Sequence, residues 1–170
     1  MTAEDERRPI TEMDLRQLLN RQTEAGNALV IAGLIEDWLE KLLLTAGRQL
    51  SNADASRIFG IGGPLSNFAS KIEIAYMFEL IDEAHRNDLR IIKSIRNAFA
   101  HTTRYVFFDS DHVAKNCRKL SNWEVFRDNQ ACYREKALEC VNAMKVRIDR
   151  FMFAKAVQDY PSVDIDDRDE

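Results

Sequence analysis

Apolar residues recur every three or four positions along most of this chain, the spacing that places them on one face of an α-helix. The clearest case predicts a long helix over residues 23–46, with Gly47 as its terminator. Its apolar positions are Leu29, Ala32, Ile35, Trp38, Leu39, Leu42 and Leu43. On the other side of this helix, we expect Glu36, Asp37 and Glu40 to be surface charges that face water or a basic group.

The same periodicity predicts further helices. The first begins at Thr11, the second covers Ser66–Leu80, and the third runs from Asp82 or Asn87 to His101. The fourth covers Asp111–Leu120 with Asp111 as its cap, and the last extends over Asp128–Val157. Residues 105–108 have an extended pattern, but four residues do not make a sheet. The chain is therefore predicted to be all-α, a single-domain helical bundle of about six to seven helices.

A glycine-rich segment interrupts this pattern between Gly60 and Asn67, with three glycines in four positions. Glycine-rich turns can cradle phosphate, but that use requires a preceding strand and a following Lys-Ser or Lys-Thr pair. Because neither is present, we interpret the segment as a tight corner between two helices.

Composition indicates a cytoplasmic protein. No run of apolar residues is long enough to span a membrane, and the first nine residues lack the apolar core of a secretion signal. Cys117, Cys132 and Cys140 are odd in number and lack Cys-x-x-Cys spacing, which is typical of reduced thiols that fill a core. Neither a metal site nor a cofactor is expected, since no close cluster of ligand-type side chains occurs.

Charge is distributed unevenly along the chain. The segment from Asp159 to Glu170 carries six acids and one base and is expected to be a disordered acidic tail. Without it, 23 basic and 22 acidic residues remain, a net charge of +1. Proteins that bind DNA alone usually carry a clear cationic excess, so contact with operator DNA is expected to be weak or indirect.

The segment from Arg96 to His101, of sequence RNAFAH, is the most particular polar motif. Its side chains suit three roles, which are ending a helix, binding an anionic partner, and handling phosphate. A guanidinium can hold phosphate in a bidentate manner, and an imidazole can move a proton near neutral pH. Residues five apart on a helix differ by about 140°, so Arg96 and His101 approach each other only if the helix ends between them.

The pattern Arg-polar-x-x-x-His on a bundle helix resembles the motif of the HEPN superfamily. The resemblance implies either a metal-independent ribonuclease or an RNA-binding module without activity. In the active members, the His handles the proton of the 2′-hydroxyl or leaving group, and the Arg holds the scissile phosphate. Those roles would fall on His101 and Arg96, with Asn97 as the polar neighbour.

A broader resemblance covers roughly residues 11–155. It comprises NALVIAGLIE from Asn27, the corner GIGGPLSNF from Gly60, KIEIAY from Lys71 and IRNAFAH from Ile95. In this order and spacing, the chain is similar to the mannitol operon repressor family. The resemblance implies a helical domain over residues 1–158, followed by the tail over 159–170. It also implies a bacterial protein that lowers expression of the mannitol operon.

The expected function is therefore transcription regulation, without enzyme activity and without an obvious DNA-binding motif. The expected partner is a protein, either a DNA-binding regulator or a component of the sugar phosphotransferase system, and a homodimer is plausible. Candidate residues for binding a partner or an anion are Arg96, Asn97, His101, Lys115, Arg118 and Lys119. The bases of the last helix are expected to form a solvated face, and they are Arg134, Lys136, Lys145, Arg147 and Arg150. The alternative function is the HEPN-like ribonuclease or RNA-binding module, with Arg96, Asn97 and His101 as its site.

Overall fold

A computed structural model describes residues 23–101 and 106–158, so the predicted helix from Thr11 and the acidic tail lie outside the described residues. The described helices are α1 Glu24–Ala46, α2 Asn52–Phe59, α3 Phe68–Met77, α4 Glu83–Ala100, α5 Asp111–Cys117, α6 Trp123–Phe126 and α7 Asn129–Gln158. No strand occurs in these two ranges. The prediction of an all-α bundle is confirmed. No helix within the described ranges has the length and apolar character that a membrane crossing requires.

Helix α1 begins and ends where its sequence predicts. The hydroxyl of Thr23 accepts a hydrogen bond from the N–H of Gly26 at 3.2 Å, which satisfies one of the free donors of the first turn. At the other end, the N–H of Gly47 donates to the carbonyl of Leu43 at 3.0 Å. The face between these caps is buried along the length of the helix, because its apolar residues follow the helical period.

Helix α7 is the longest described helix, and it packs along α1 and also contacts α4, α5 and α6. Its core side chains are Cys132, Tyr133, Ala137, Cys140, Val141 and Met144. The buried hydroxyl of Tyr133 donates to the carbonyl of Ala28 at 2.8 Å, which joins the start of α7 to the start of α1. One helix therefore holds most of the bundle together.

Two short helices are absent from the predicted pattern. Helix α2 has no fully buried residue, so the sequence lacks the apolar stripe that would predict a helix there. Its cap is nonetheless visible, since the hydroxyl of Ser51 accepts from the N–H of Asp54 at 3.1 Å and donates to that carboxylate at 2.7 Å. Helix α6 is a single turn that ends at Phe126, and the residue after it, Arg127, has a left-handed φ of 48°. The sequence pattern predicts connectors at both segments.

The glycine corner between α2 and α3 has the predicted role, and its geometry requires glycine. A Cβ on Gly63 would lie 2.4 Å from the carbonyl oxygen of Ile58, well inside any allowed contact. Gly62 adopts a φ of +81°, which side chains rarely tolerate. The chain then enters α3 through Asn67, whose side chain accepts from the N–H of Ser70 at 2.8 Å.

Helix α4 begins after Asp82, the first of the two predicted starts, because this carboxylate accepts from the N–H of His85 at 2.8 Å. Helix α5 runs antiparallel to α4. Before α5, the ring of Phe108 lies 5.0 Å from that of Phe99, near the end of α4. After α5, the hydroxyl of Ser121 donates to Asp88, near the start of α4, at 2.7 Å.

The start of α5 corrects one prediction. The cap position belongs to Ser110 and not to Asp111, which is already in the first turn of the helix. The carbonyl of Ser110 accepts from the N–H groups of Val113 and Ala114, at 2.8 and 2.9 Å. Asp111 instead forms an ion pair with Lys115 at 2.8 Å, one turn further on.

Candidate functional site

The polar motif that ends α4 lies at the helix terminus, as its composition predicts. Helix α4 stops at Ala100, and His101 is the residue after it, with its N–H donating to the carbonyl of Asn97 at 3.1 Å. The side chain of Arg96 donates to the amide oxygen of Asn97, also at 3.1 Å. Arg96 and Asn97 are half-buried, whereas His101 is exposed. No hydrogen bond joins Arg96 to His101 in the described part of the chain.

An aromatic cluster supports this end of α4. The rings of Phe99, Phe108 and Tyr133 follow one another at 5.0 and 5.4 Å between centroids. Burial raises the pKa of Tyr133, and the nearby positive charge of Arg96 opposes that rise. The N–H of Phe108 donates to a carboxylate oxygen of Glu24 at 2.6 Å, so the start of α1 also meets this cluster.

This arrangement can attract an anion through side chains alone. The end of a helix carries a partial negative charge, which favours a cation and disfavours phosphate beside it. Any anion would therefore depend on the guanidinium of Arg96, which already bonds Asn97, and on the exposed imidazole. The observed contacts account for Arg96 and Asn97 as structural residues and leave His101 as the accessible group.

The other candidate bases lie in α5, which packs against α4, and directly after it. Lys115 pairs with Asp111, and the ammonium of Lys115 lowers the pKa of that carboxyl through a hydrogen bond and its charge. Lys119 and Arg118 are exposed just before Ser121, which bonds Asp88 near the start of α4. Asp88 and His101 are thirteen residues apart on α4, a helical rise of about 20 Å. The structure therefore does not gather the six candidates into one site.

A buried lysine is the basic group that Glu36 and Glu40 face, the alternative to water in the sequence-based expectation, and it leaves them partly buried instead of surface charges. Lys71 of α3 is 4% exposed, and its ammonium lies 2.8 Å from Glu40 and 3.3 Å from Glu36 on α1. Both carboxylates are partly buried. Their four-residue spacing on one helix face is visible in the sequence, but the cation that holds them comes from another helix.

A second buried lysine corrects the prediction of a solvated basic face on α7. Lys136 is 5% exposed and lies 2.6 Å from Glu139 and 3.6 Å from Asp88. Burial lowers the pKa of Lys136, but the hydrogen bond to Glu139 and the charge of Asp88 outweigh that effect and leave it raised. Asp88 also accepts two hydrogen bonds from Ser121, so the pair is embedded in a polar network.

The three cysteines are buried and unpaired. Burial raises the pKa of Cys117 and of Cys140 to about 12, and that of Cys132 to about 11. At neutral pH these side chains are thiols in the core and not nucleophiles. Within the described residues, no group of three or more His, Cys, Asp or Glu side chains is placed to hold a metal ion.

Comparison with known proteins gives a likeness in fold. No protein-family model matches the chain, and no curated protein matches it by sequence. A solved structure described as the X-ray structure of the MtlR-HPr complex from Escherichia coli is similar, with a TM-score of 0.54 at 14% sequence identity. The match covers 81% of this chain and 94% of the other. At that identity, the chain shares the helical arrangement of this structure.

Proposed function

We propose that this chain is a bacterial transcription regulator of the mannitol-repressor type that acts through a protein partner and has no enzyme activity. The observation that carries the proposal is the fold likeness to a chain solved in the MtlR-HPr complex, which extends over 94% of that chain. The sequence motifs around Gly60, Lys71 and Ile95 support it independently of the fold. The partner that we propose is a phosphotransferase component, and HPr is the first to test.

The described helices support a partner instead of direct reading of DNA. A recognition helix must lie in the major groove and present Arg, Lys, Asn or Gln to the bases. Helix α6, the second of two short helices joined by a tight turn, has only four residues. Its exposed side chains are Glu124, Val125 and Phe126. This pair of helices therefore lacks the length and chemistry of a DNA reader.

Binding of HPr tests the proposal directly. The full chain is titrated with HPr of the same organism by calorimetry, at about 0.15 M salt so that nonspecific attraction is screened. Saturable 1:1 binding is expected, together with no shift of the mannitol operator by the pure chain in a gel. Tight specific binding of the operator by the pure chain alone would overturn the proposal, as would failure to bind any phosphotransferase component.

The exposed bases Arg118 and Lys119 are the residues we assign to this contact. Replacing both by Glu should weaken HPr binding at least tenfold, because a basic patch would become acidic. Arg57→Glu on α2 is the matched control, since that side chain is also exposed and lies on another helix. Equal loss in the control and the double variant would remove the assignment.

A second candidate function rests on one observation, the exposed His101 directly after a helix end that holds Arg96 half-buried. A metal-independent ribonuclease would need both side chains to reach one phosphate, so Arg96 would have to give up its hydrogen bond to Asn97. An RNA cleavage assay in EDTA compares the wild-type chain with His101→Ala. Cleavage by the wild type that the variant lacks would favour the enzyme, whereas no cleavage by either would exclude it.

A further inference from the structure

Helix α7 carries a second apolar stripe on the side away from the core. Val146, Phe153 and Val157 are 51%, 73% and 56% exposed, and their spacing of seven and then four residues places them on one line of the helix. The core residue Met144 lies roughly opposite, about 200° around the helix from Val146. Isolated apolar side chains at a surface are ordinary, but an aligned stripe marks an interaction surface.

A groove runs beside this stripe. Its volume is about 1130 Å³, and its walls are α7 on one side and the corner between α3 and α4 on the other. Met77, at the end of α3, stands at its rim and is 62% exposed. Val146 lines the groove from the α7 side. The stripe and the groove together form one continuous surface, which we call the α7 face.

The α7 face carries opposite charges on the two sides of Val146. Glu139 lies toward the start of α7, and its side chain remains 57% exposed although it pairs with Lys136. Arg147 and Arg150 lie toward the end, where the guanidinium of Arg147 donates to the carbonyl of Glu79 at 2.5 Å. Such a surface complements a copy of itself turned by 180°.

We propose that the α7 face binds a second copy of this chain, with the two α7 helices antiparallel about a two-fold axis at the level of residues 144 and 145, less than one turn from Val146. In this arrangement residues on the same flank of the two helices meet. Glu139 and Arg150 are eleven residues apart, which is about 20° more than three full turns, so they share a flank. Glu139 of each copy then faces Arg150 of the other, on either side of a contact between the two Val146 side chains.

The second copy is favoured over an unrelated partner by this symmetry. Each charged side finds its complement on the other copy, and the apolar centre meets the same apolar centre. The inference does not depend on the proposed function, because it uses neither Arg118 nor Lys119 and is measured without HPr. A partner of different chemistry on this face would leave the chain monomeric when it is pure.

Sedimentation velocity of the full chain tests the inference. The wild type is expected to be a dimer, and Val146→Glu is expected to be a monomer with an unchanged circular dichroism spectrum. Val125→Glu is the control, because Val125 is 77% exposed on α6, and this variant should remain dimeric. A monomeric wild type at concentrations up to those of a crystallisation trial would overturn the proposal. So would a dimer that Val146→Glu leaves intact.

An exchange of charges between copies identifies the contact itself. Glu139→Arg and Arg150→Glu should each weaken the dimer, because each homodimer would contain two like-charged pairs. An equimolar mixture of the two variants should recover the dimer, since the two introduced side chains then face each other with opposite charge and the second pair is native. Glu124→Arg is the matched control, as Glu124 also pairs with a base three residues away. No recovery in the mixture, with both variants folded, would exclude this pairing.

Discussion

The ammonium of Lys71 lies 2.8 Å from a carboxylate oxygen of Glu40, although only 4% of Lys71 is exposed. Glu36 accepts from the same ammonium at 3.3 Å, so one cation from α3 joins two acids of α1. A buried cation without partners would be strongly destabilising. The contact therefore makes the position of α3 on α1 depend on these acids.

Removing the two acids of this contact should destabilise the protein more than removing the lysine. Replacing both Glu36 and Glu40 by Gln leaves Lys71 buried without a countercharge and should cost about 3 kcal/mol of unfolding free energy. Lys71→Met should cost about 1 kcal/mol or less, since the two acids can turn toward water. Urea unfolding at pH 7 measures both. Equal losses would show that the lysine is not held by the acids.

Two glycines predict opposite responses to alanine. A Cβ on Gly33, inside α1, would meet nothing within 4 Å, so Gly33→Ala should stabilise the protein by about 1 kcal/mol through helix propensity. Gly63→Ala should instead be destabilising, because its Cβ would lie 2.4 Å from a carbonyl oxygen. Thermal unfolding of the two variants should shift in opposite directions. A stabilised Gly63→Ala would contradict the geometry of the corner.

The three cysteine thiols should react slowly with alkylating reagents in the folded protein. Because burial raises the pKa of all three thiols to about 11 or 12, iodoacetamide should leave them unmodified at pH 8. The same reagent in concentrated guanidinium chloride should modify three sites, as the chain contains three cysteines. Mass spectrometry counts the adducts. Rapid labelling of the native protein at any of the three would show that the core opens there.

The carboxyl of Glu73 should make the protein less stable to unfolding at acidic pH. Hydrogen bonds from Arg86 and Arg90 lower the pKa of Glu73 below 4.5 in the folded protein. A lowered pKa contributes stability above the unfolded value, and this contribution disappears as the pH falls through the folded value. The free energy of unfolding should therefore fall below about pH 4.5, and less steeply in Glu73→Gln.

Variants of Arg86 and Arg90 test the same acidic pH range from the other side of the contact. Replacing Arg86 and Arg90 by Gln removes the hydrogen bonds that lower the pKa of Glu73. This double variant should show the same shallower slope as Glu73→Gln when urea unfolding is measured from pH 6 to pH 3. An unchanged slope in both would place the acid sensitivity elsewhere, with Asp82 as the next residue to examine, since its pKa is also lowered by His85.

Periodicity and caps predicted most of the fold because each of them is local. The start of α1 at Thr23 and its end before Gly47 depend on groups within one turn of each other. The same holds for the end of α4 at His101. No residue of helix α2 is fully buried, although Phe59 packs partly buried against the core, and the clearest sequence signal of this helix is the cap formed by Ser51 and Asp54. Local signals therefore identify helices best when the helix also has an apolar face.

The polar contacts were harder to predict because they join distant parts of the chain. Lys71 meets Glu40 across 31 positions, and Asp88 meets Ser121 across 33. Neither spacing has a helical period, so nothing in one helix identifies its partner in another. For the candidate site at Arg96 and His101, the residues could be identified from the sequence but their contacts could not. Its motif was apparent in the sequence, but only the structure shows that Arg96 is held by Asn97.

The position of α7 has a consequence for synthesis of the chain. Its hydroxyl contact from Tyr133 reaches Ala28 across 105 positions, and its side chains complete the core around α1 and α4. Contacts of such long range slow folding, because a large loop must close before they form. A nascent chain therefore exposes the part of α1 that packs against α7 until α7 leaves the ribosome. During that interval the protein should depend on chaperones that shield apolar helices.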